Sequence, residues 1–350
     1  MNYYEVRDGI KLCWAIDNPY RNGRIVLDFD GAGQKTDVYV YTTHVGSHVG
    51  GYDSWNVDIT DAVKAFLGSK DAERFKGKVP LSIRCDNSRD LGMIPSDLAD
   101  FNIYGGLYRY LNLVYLPEVS FEQIHLESSL SSNLKEGILK VKTSFYNPED
   151  IRKADVTVSV YDVDRKPVFS KTLEGILPLG DQLLAKMKIK NPVLWDVDVP
   201  QLYTCELTVK TPDQTFTTEE RFGFRHTEFK DKGPFFLNGK RLLLRGTHRH
   251  EDHAGVAQAM TEDMMRREMR MMKDMGVNFI RLGHYQQSEI ILDLCDELGI
   301  LVWEEIPWCR GGLGGDVYKK QARRMLANMI VQHHNHPAVI IWGLGNENDW

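Results

Sequence analysis

From Ile25 to about His226 apolar and polar positions alternate with a period of two, the mark of half-buried strands. Val38 and Val40 alternate with Tyr39 and Tyr41, and Leu81, Ile83 and Cys85 with Ser82 and Arg84. Leu139, Val141, Thr143 and Phe145 repeat the pattern, as do Val156, Val158 and Val160, then Cys205, Leu207 and Val209. Many short strands separated by Gly, Asn, Pro and Asp predict β-sandwiches, with one short helix over residues 61–67. A boundary is expected near Leu116, Pro117 and Glu118, where one alternating set ends and another begins. A second is expected at 227–233, where Glu228, Lys230, Asp231 and Lys232 precede a new pattern. The expected domains are therefore 1–118, 119–226 and 227–350.

From Arg241 onward short apolar runs alternate with helical periodicity. Strands are predicted over 241–245, 277–282, 300–304 and 338–344, and helices over 261–275, 288–298 and 316–334. Thr261 reads as a helix cap, and Gly276 and Gly299 as left-handed stops. Met265, Met269 and Met272 share one helix face and read as core filler. Repeated βα units imply a parallel sheet covered on both faces. The predicted strands run in turn into His248, Arg249 and His250, into Arg281 and His284, into Glu304 and Glu305, and into Asn346 and Glu347. In a (β/α)8 barrel such C-terminal strand ends open onto one pocket. A closed barrel takes about 250 residues, and only about 115 follow Pro234. The chain is accordingly expected to stop in mid-domain, with the first half of a barrel.

Composition narrows the partners. Lys+Arg 43 against Asp+Glu 49 gives a net charge of −6, without a basic run, so neither nucleic acid nor an anionic membrane is an expected partner. No apolar stretch has the roughly 18 residues a membrane helix needs, and the first 30 residues carry no charged-then-apolar leader. Cytoplasm and periplasm both stay open, as does a homo-oligomer. Five scattered cysteines, without metal-ligand spacing, read as free thiols.

The sharpest chemical signal is NHPAVIIWGLGNE at 335–347, an apolar strand delivering Asn346 and Glu347 to its C-terminal end. A Glu there can protonate a glycosidic oxygen, and an Asn can hydrogen-bond the sugar's 2-hydroxyl as an oxocarbenium-like transition state forms. The bland alternative is a solvated strand end. His248, His250 and His253 crowd one loop, but HEDH at 250–253 is one residue short of the metalloprotease spacing, so pocket-lining roles are preferred to a metal. The glycine run at 311–315 lacks the Lys-Ser/Thr of a phosphate loop. His333, His334 and His336 close a helix, where imidazolium would complement the dipole. Cys309 lies near the expected pocket mouth without an evident base. Trp303 and Trp308 are placed to stack on sugar or to fill the core.

NFIRLGHY at 278–285, followed by Asp293, Gly299 and ILVW at 300–303, resembles the first signature of glycoside hydrolase family 2, and residues 335–347 resemble the second. VDIT at 57–60, DFNIYGGLYR at 100–109, Trp195, Tyr203, FGFR at 222–225 and FLNGK at 236–240 extend the likeness over nearly the whole chain. So do LRG at 244–246 and His250 with Glu251. Leu282 and Gly283 replace the usual small or hydroxyl pair, and Gln286 a preferred Pro.

The resemblance implies a jelly-roll (galactose-binding-like) β-sandwich, an immunoglobulin-like β-sandwich and a catalytic (β/α)8 TIM barrel, that is, a multidomain β plus α/β chain. The jelly roll would be entered late, around Trp14, with a first strand missing. It further implies a retaining exo-β-glycosidase with a carbohydrate substrate. β-Galactosidase is favoured, with β-glucuronidase or β-mannosidase as alternatives and a non-catalytic carbohydrate-binding protein as the reading from another class. By the same resemblance Glu347 is the acid/base and Asn346 the 2-hydroxyl partner. Arg281 supports the carboxylates, His284 contacts substrate, Asp100 reaches the pocket from the jelly roll, and His248 and His250 line it. No cofactor is implied, and the magnesium motif of some β-galactosidases is missing after the third strand, so no metal is expected. The nucleophile would lie beyond Trp350, leaving this chain inactive alone.

Overall fold

The computed structural model describes residues 9–96, 98–147, 153–311 and 314–348. Two antiparallel sheets make the first region. One is ordered Gly9–Trp14, Val79–Asp86, Lys35–Val40, Thr43–Val49, and the other Trp55–Asp58, Arg24–Phe29, Leu111–Leu116. Their inner residues, among them Leu27, Phe29, Val38, Leu81 and Ile83, form one buried cluster that the helix Thr60–Leu67 closes with Val63 and Phe66. The sheets begin earlier than expected. Ile10, Leu12 and Trp14 are half-buried between exposed Lys11 and Cys13, so period-two alternation already starts at the edge strand Gly9–Trp14.

The second region pairs a sheet ordered Pro167–Ile176, Ala154–Tyr161, Tyr203–Lys210, Thr215–Phe222 with one ordered Gly180–Lys190, Glu136–Tyr146, Ser120–Leu130. Leu139, Val141, Val156, Val158, Cys205 and Leu207 fill the space between them.

In the third region four parallel strands, Gly246–Arg249, Phe279–Leu282, Leu301–Glu305 and Val339–Gly343, stand in chain order. The helices Glu262–Asp274, Glu289–Leu298 and Asp316–His333 connect them. Met265 and Met269 are buried and Met272 packs against the same core. The strand expected over 241–245 is displaced. Lys240–Arg241 closes a hairpin, and the sheet takes up residues 246–249 instead. The physical reason is Asn278, whose Nδ2 donates to Leu243 O and whose Oδ1 accepts from Arg245 N, satisfying that backbone from a side chain. Gly246 then faces Phe279, where a Cβ would come within 2.9 Å of the ring.

The regions are locked together by buried and partly buried polar contacts. Arg109 Nε donates to Glu251 at 2.8 Å, with both side chains no more than 3% exposed. Trp195, fully buried, donates from Nε1 to the Asp296 carbonyl, and Arg225 donates to the carbonyls of Pro337 and Val339. Asn328 donates to Asp53 and Gln332 to the Ser54 carbonyl. Among the described residues no helix is long and apolar enough to cross a membrane.

Candidate active site

Side chains at the C-terminal ends of the parallel strands converge, joined by a loop of the first region. Glu305, fully buried at the end of its strand, organises the cluster. It accepts from Arg281 Nε at 3.2 Å and Nη2 at 2.9 Å, and lies 2.5 Å from His284 Nδ1. Its neighbour Glu304 points to the opposite face, as strand alternation requires, and pairs there with His333 on the connecting helix at 2.8 Å.

Arg281 also donates to Asn346 Oδ1 at 3.0 Å, which fixes that amide with its oxygen inward and its Nδ2 free to donate. The guanidinium lies 4.6 Å from the Trp303 ring centre, so Trp303 braces the arginine rather than presenting an open stacking face. Trp308 packs edge-on against Tyr318. The loop 306–311 pairs with the Asn346 backbone through Arg310 N to Asn346 O at 3.0 Å and Asn346 N to Trp308 O at 2.8 Å.

From the first region, DFNIYGGLYR supplies Arg109, locked on Glu251, and Asp100 to this end of the sheet, with Phe101 packed beside His250. Cys309 Sγ donates to Asp100 Oδ1 at 3.3 Å and accepts from Asn346 Nδ2 at 3.6 Å. Arg310 lies 3.3 Å from Asp100 and 2.6 Å from Glu347. Burial opposes ionisation of Asp100, but the Cys309 thiol and Arg310 hold its carboxyl below the ordinary range. Burial pushes the Cys309 thiol up, away from thiolate. Glu347 is half exposed and sits in the left-handed region, with φ 51°, a strained backbone for a non-glycine residue.

His248, His250 and His284 form a second group beside this one, with ring centres 4.8 to 5.4 Å apart. Burial, then the neighbouring imidazoles, lowers His250 to about 4. The unusual Gly283 has a local reason: a Cβ there would meet His248 Cε1 at 2.6 Å. Gln286, in place of a preferred Pro, is buried and donates to Gln332 at 2.6 Å, while its carbonyl accepts from Arg109 at 2.8 Å.

All seven residues singled out from sequence, Glu347, Asn346, His284, Arg281, Asp100, His248 and His250, thus lie in one connected neighbourhood. Glu305, Arg310 and Cys309 complete it. Glu305 was signalled by its place after an apolar strand, whereas nothing in the sequence separates Arg310 from an ordinary loop arginine. His253 stands apart, turned to the Ala254 carbonyl, and Glu251 is committed to Arg109, so the 250–253 spelling forms no metal motif. The dipole reading of the 333–336 histidines fails at His334, which burial and His125 push down to about 4, keeping it neutral. Gly312 and Leu313 of the glycine run lie outside the described residues.

Two family profiles match consecutive parts of the chain: "Glycosyl hydrolases family 2" over residues 119–225 and "Glycosyl hydrolases family 2, TIM barrel domain" over 228–350. The crystal structure of Parabacteroides merdae β-glucuronidase superposes with a TM-score of 0.99 at 97% identity, over 100% of this chain and 44% of that one. A putative β-glucuronidase of Formosa agariphila is 40% identical over 96% of this chain and 39% of its own length. A β-galactosidase of Thermoanaerobacter pseudethanolicus is 28% identical over 98% of this chain and 46% of its own length. The chain therefore spans less than half the length of these relatives.

Proposed function

The chain belongs to glycosyl hydrolase family 2, and from that premise we propose that the protein containing it is a retaining β-glucuronidase. The preference moves from galactoside to glucuronide because the solved structure at 97% identity and the relative at 40% identity carry the glucuronidase name. The three regions are then a jelly-roll β-sandwich over 1–118, an immunoglobulin-like β-sandwich over 119–226 and the N-terminal half of a (β/α)8 barrel over 227–350. Each boundary follows a change of sheet: Leu111–Leu116 is the last strand of the first, and Thr227–Phe229 opens the hairpin before the parallel strands.

The observation that carries the reading is the chain of contacts from Glu305 through Arg281 to Asn346, and from Asn346 through Cys309 to Asp100 and Arg310 beside Glu347. It gathers an acid, a 2-hydroxyl donor and a hydroxyl-accepting carboxylate around one opening. Glu347 gives its proton to the leaving oxygen and later takes one from water. Asn346, its amide oriented by Arg281, offers Nδ2 to the 2-hydroxyl oxygen as positive charge builds on the sugar ring. Asp100 and the free edge of His284 fix the remaining hydroxyls, and His248 and His250 wall the pocket. Glu305 is held at both oxygens by Arg281 and His284 and acts as an organiser. The nucleophile is assigned to a carboxylate outside this sequence, about 5 Å from Glu347 in the complete site.

The test is the ratio of kcat/KM for p-nitrophenyl β-D-glucuronide and the corresponding β-D-galactoside, measured on the complete protein. A glucuronide preference of at least about 100-fold, or 2.7 kcal/mol, is expected. A ratio favouring the galactoside returns the substrate to the alternative, and turnover of neither leaves a carbohydrate-binding protein.

A further inference from the structure

We infer that His248, His250 and His284 form a binding site for a divalent transition-metal ion of the zinc class, and that the bound ion closes the sugar pocket. The second half rests on the function proposed above; the first stands on the geometry of the three imidazoles.

Each ring offers one nitrogen, and the three nitrogens lie within 4.8 Å of one another. Tetrahedral zinc with Zn–N bonds of about 2.0–2.1 Å needs its donors roughly 3.3 Å apart. Closing the remaining gap takes about 1.5 Å at most, within reach of side-chain torsions. The rings come from two adjacent parallel strand ends, since His248 pairs in register with Arg281, three residues before His284.

One of the three is already oriented as metal ligands are. His284 Nδ1 lies 2.5 Å from fully buried Glu305, which accepts its proton and leaves Nε2 as the free donor atom, the carboxylate–histidine arrangement that orients ligating imidazoles. The missing Cβ at Gly283 gives the His248 ring its place, since a Cβ there would come within 2.6 Å of His248 Cε1 and 2.8 Å of its Nε2. His250 is set against Phe101 and Tyr285, and among the described residues no hydrogen bond engages either of its ring nitrogens.

The donor set selects the ion. Imidazole nitrogen suits zinc, copper and nickel, whereas magnesium and calcium require oxygen. Asp100 and Cys309 form an overlapping set with the same His284, so a carboxylate and a sulfur stand close to the three imidazoles. Three imidazoles leave a fourth tetrahedral position for water. The sugar hydroxyls are proposed to sit against Asp100 and the same His284, so ion and glycone compete for that imidazole.

The test uses the complete protein stripped of metal by a chelator. Zinc chloride alone is titrated by calorimetry, and cobalt(II) replaces it for absorption spectra. One zinc per chain is expected, with an intense four-coordinate cobalt spectrum. His250→Gln and His248→Ala should each weaken binding at least about 100-fold, while His253→Gln, altered outside the cluster, should bind as the parent does. Circular dichroism establishes that each variant is folded; with two ligand variants the result does not hang on one. Zinc should raise KM for an aryl β-glucuronide at constant kcat, reversibly on chelation. No stoichiometric zinc, or equal binding by His250→Gln, His248→Ala and His253→Gln, overturns the site. Stoichiometric binding that lowers kcat without raising KM overturns the competition. A protein that binds zinc but turns over no glycoside leaves the site standing and removes the glycosidase reading instead.

Discussion

Cys309 Sγ donates to Asp100 Oδ1 across 3.3 Å, joining residues 209 positions apart and tying a loop of the first region to the strand ends of the third. The same sulfur accepts from Asn346 Nδ2, so one thiol spaces two groups proposed to hold the sugar. Cys309→Val keeps the volume and removes both contacts. It should lower kcat/KM about 10-fold, roughly 1.4 kcal/mol, chiefly through KM, because the lost interaction positions substrate equally in ground and transition states. Cys309→Ser retains a donor and should recover most of the loss. Steady-state kinetics on both variants checks this, and unchanged KM in Cys309→Val refutes the role.

Arg109 and Glu251 form an ion pair buried almost completely between the first and third regions, with Glu251 Oε2 also accepting from Ser288 N at 2.9 Å. Removing Arg109 leaves the buried Glu251 charge, among the described residues, with only the longer ionic contact to Arg249 at 3.9 Å. Arg109→Met should therefore cost about 3–5 kcal/mol, and the double variant with Glu251→Gln distinctly less than the sum of the single losses. Denaturant midpoints for the cycle give the coupling, and additive losses would contradict it.

His336 Nδ1 lies 2.6 Å from Asp296, in the cavity where the three regions meet. Burial alone would lower this imidazole, but Asp296, with Asp293 and Glu289 behind it, raises it to about 9. A folded value above the unfolded 6.5 means that the stabilisation is fully present below about pH 6.5 and is lost as pH rises through about 9. The whole effect is on the order of 3 kcal/mol. Denaturation of the parent and of His336→Asn at about pH 6 and pH 10 should show a gap at the lower pH that largely closes at the higher. A pH-independent gap would assign His336 a packing role alone.

The neighbouring strand ends show how far sequence carries such an argument. Alternation and caps locate the strands and helices, and therefore the level at which His248, Arg281, Glu305 and Asn346 emerge. The displacement from 241–245 to 246–249 was hidden because Leu242 and Leu244 are as apolar as a buried strand demands. Asn278, 33 residues from Arg245, satisfies that backbone from a side chain outside the run. Gly283 and Gln286 read as departures from a pattern, yet each answers a contact invisible along the chain: His248 against Gly283, and Gln332 and Arg109 against Gln286. The Asp100–Cys309–Asn346 chain was illegible for the same reason. Its geometry belongs to the docking of two regions, not to any local run of residues.

Glu347 is the acid/base in the function proposed above, and its place is specific: half exposed, paired with Arg310 at 2.6 Å, on a backbone with φ 51°. If it is the acid/base of the complete enzyme, Glu347→Gln should cripple glucuronides with poor leaving groups far more than a dinitrophenyl glucuronide, whose phenolate departs without a proton. The amide keeps the side chain's size, so the loss reports proton transfer rather than packing. On the activated substrate the first step survives while water, lacking a base, attacks the glycosyl-enzyme slowly. A burst of phenol should precede a slow steady state. Azide needs no base and should restore turnover, yielding the β-glycosyl azide with retained configuration. Losses of about equal size for every leaving group, with no burst and no rescue by azide, would move Glu347 out of the acid/base role. Arg310 would then be read as holding Glu347 for structure, and the proton donor would have to be sought among the other groups of the pocket.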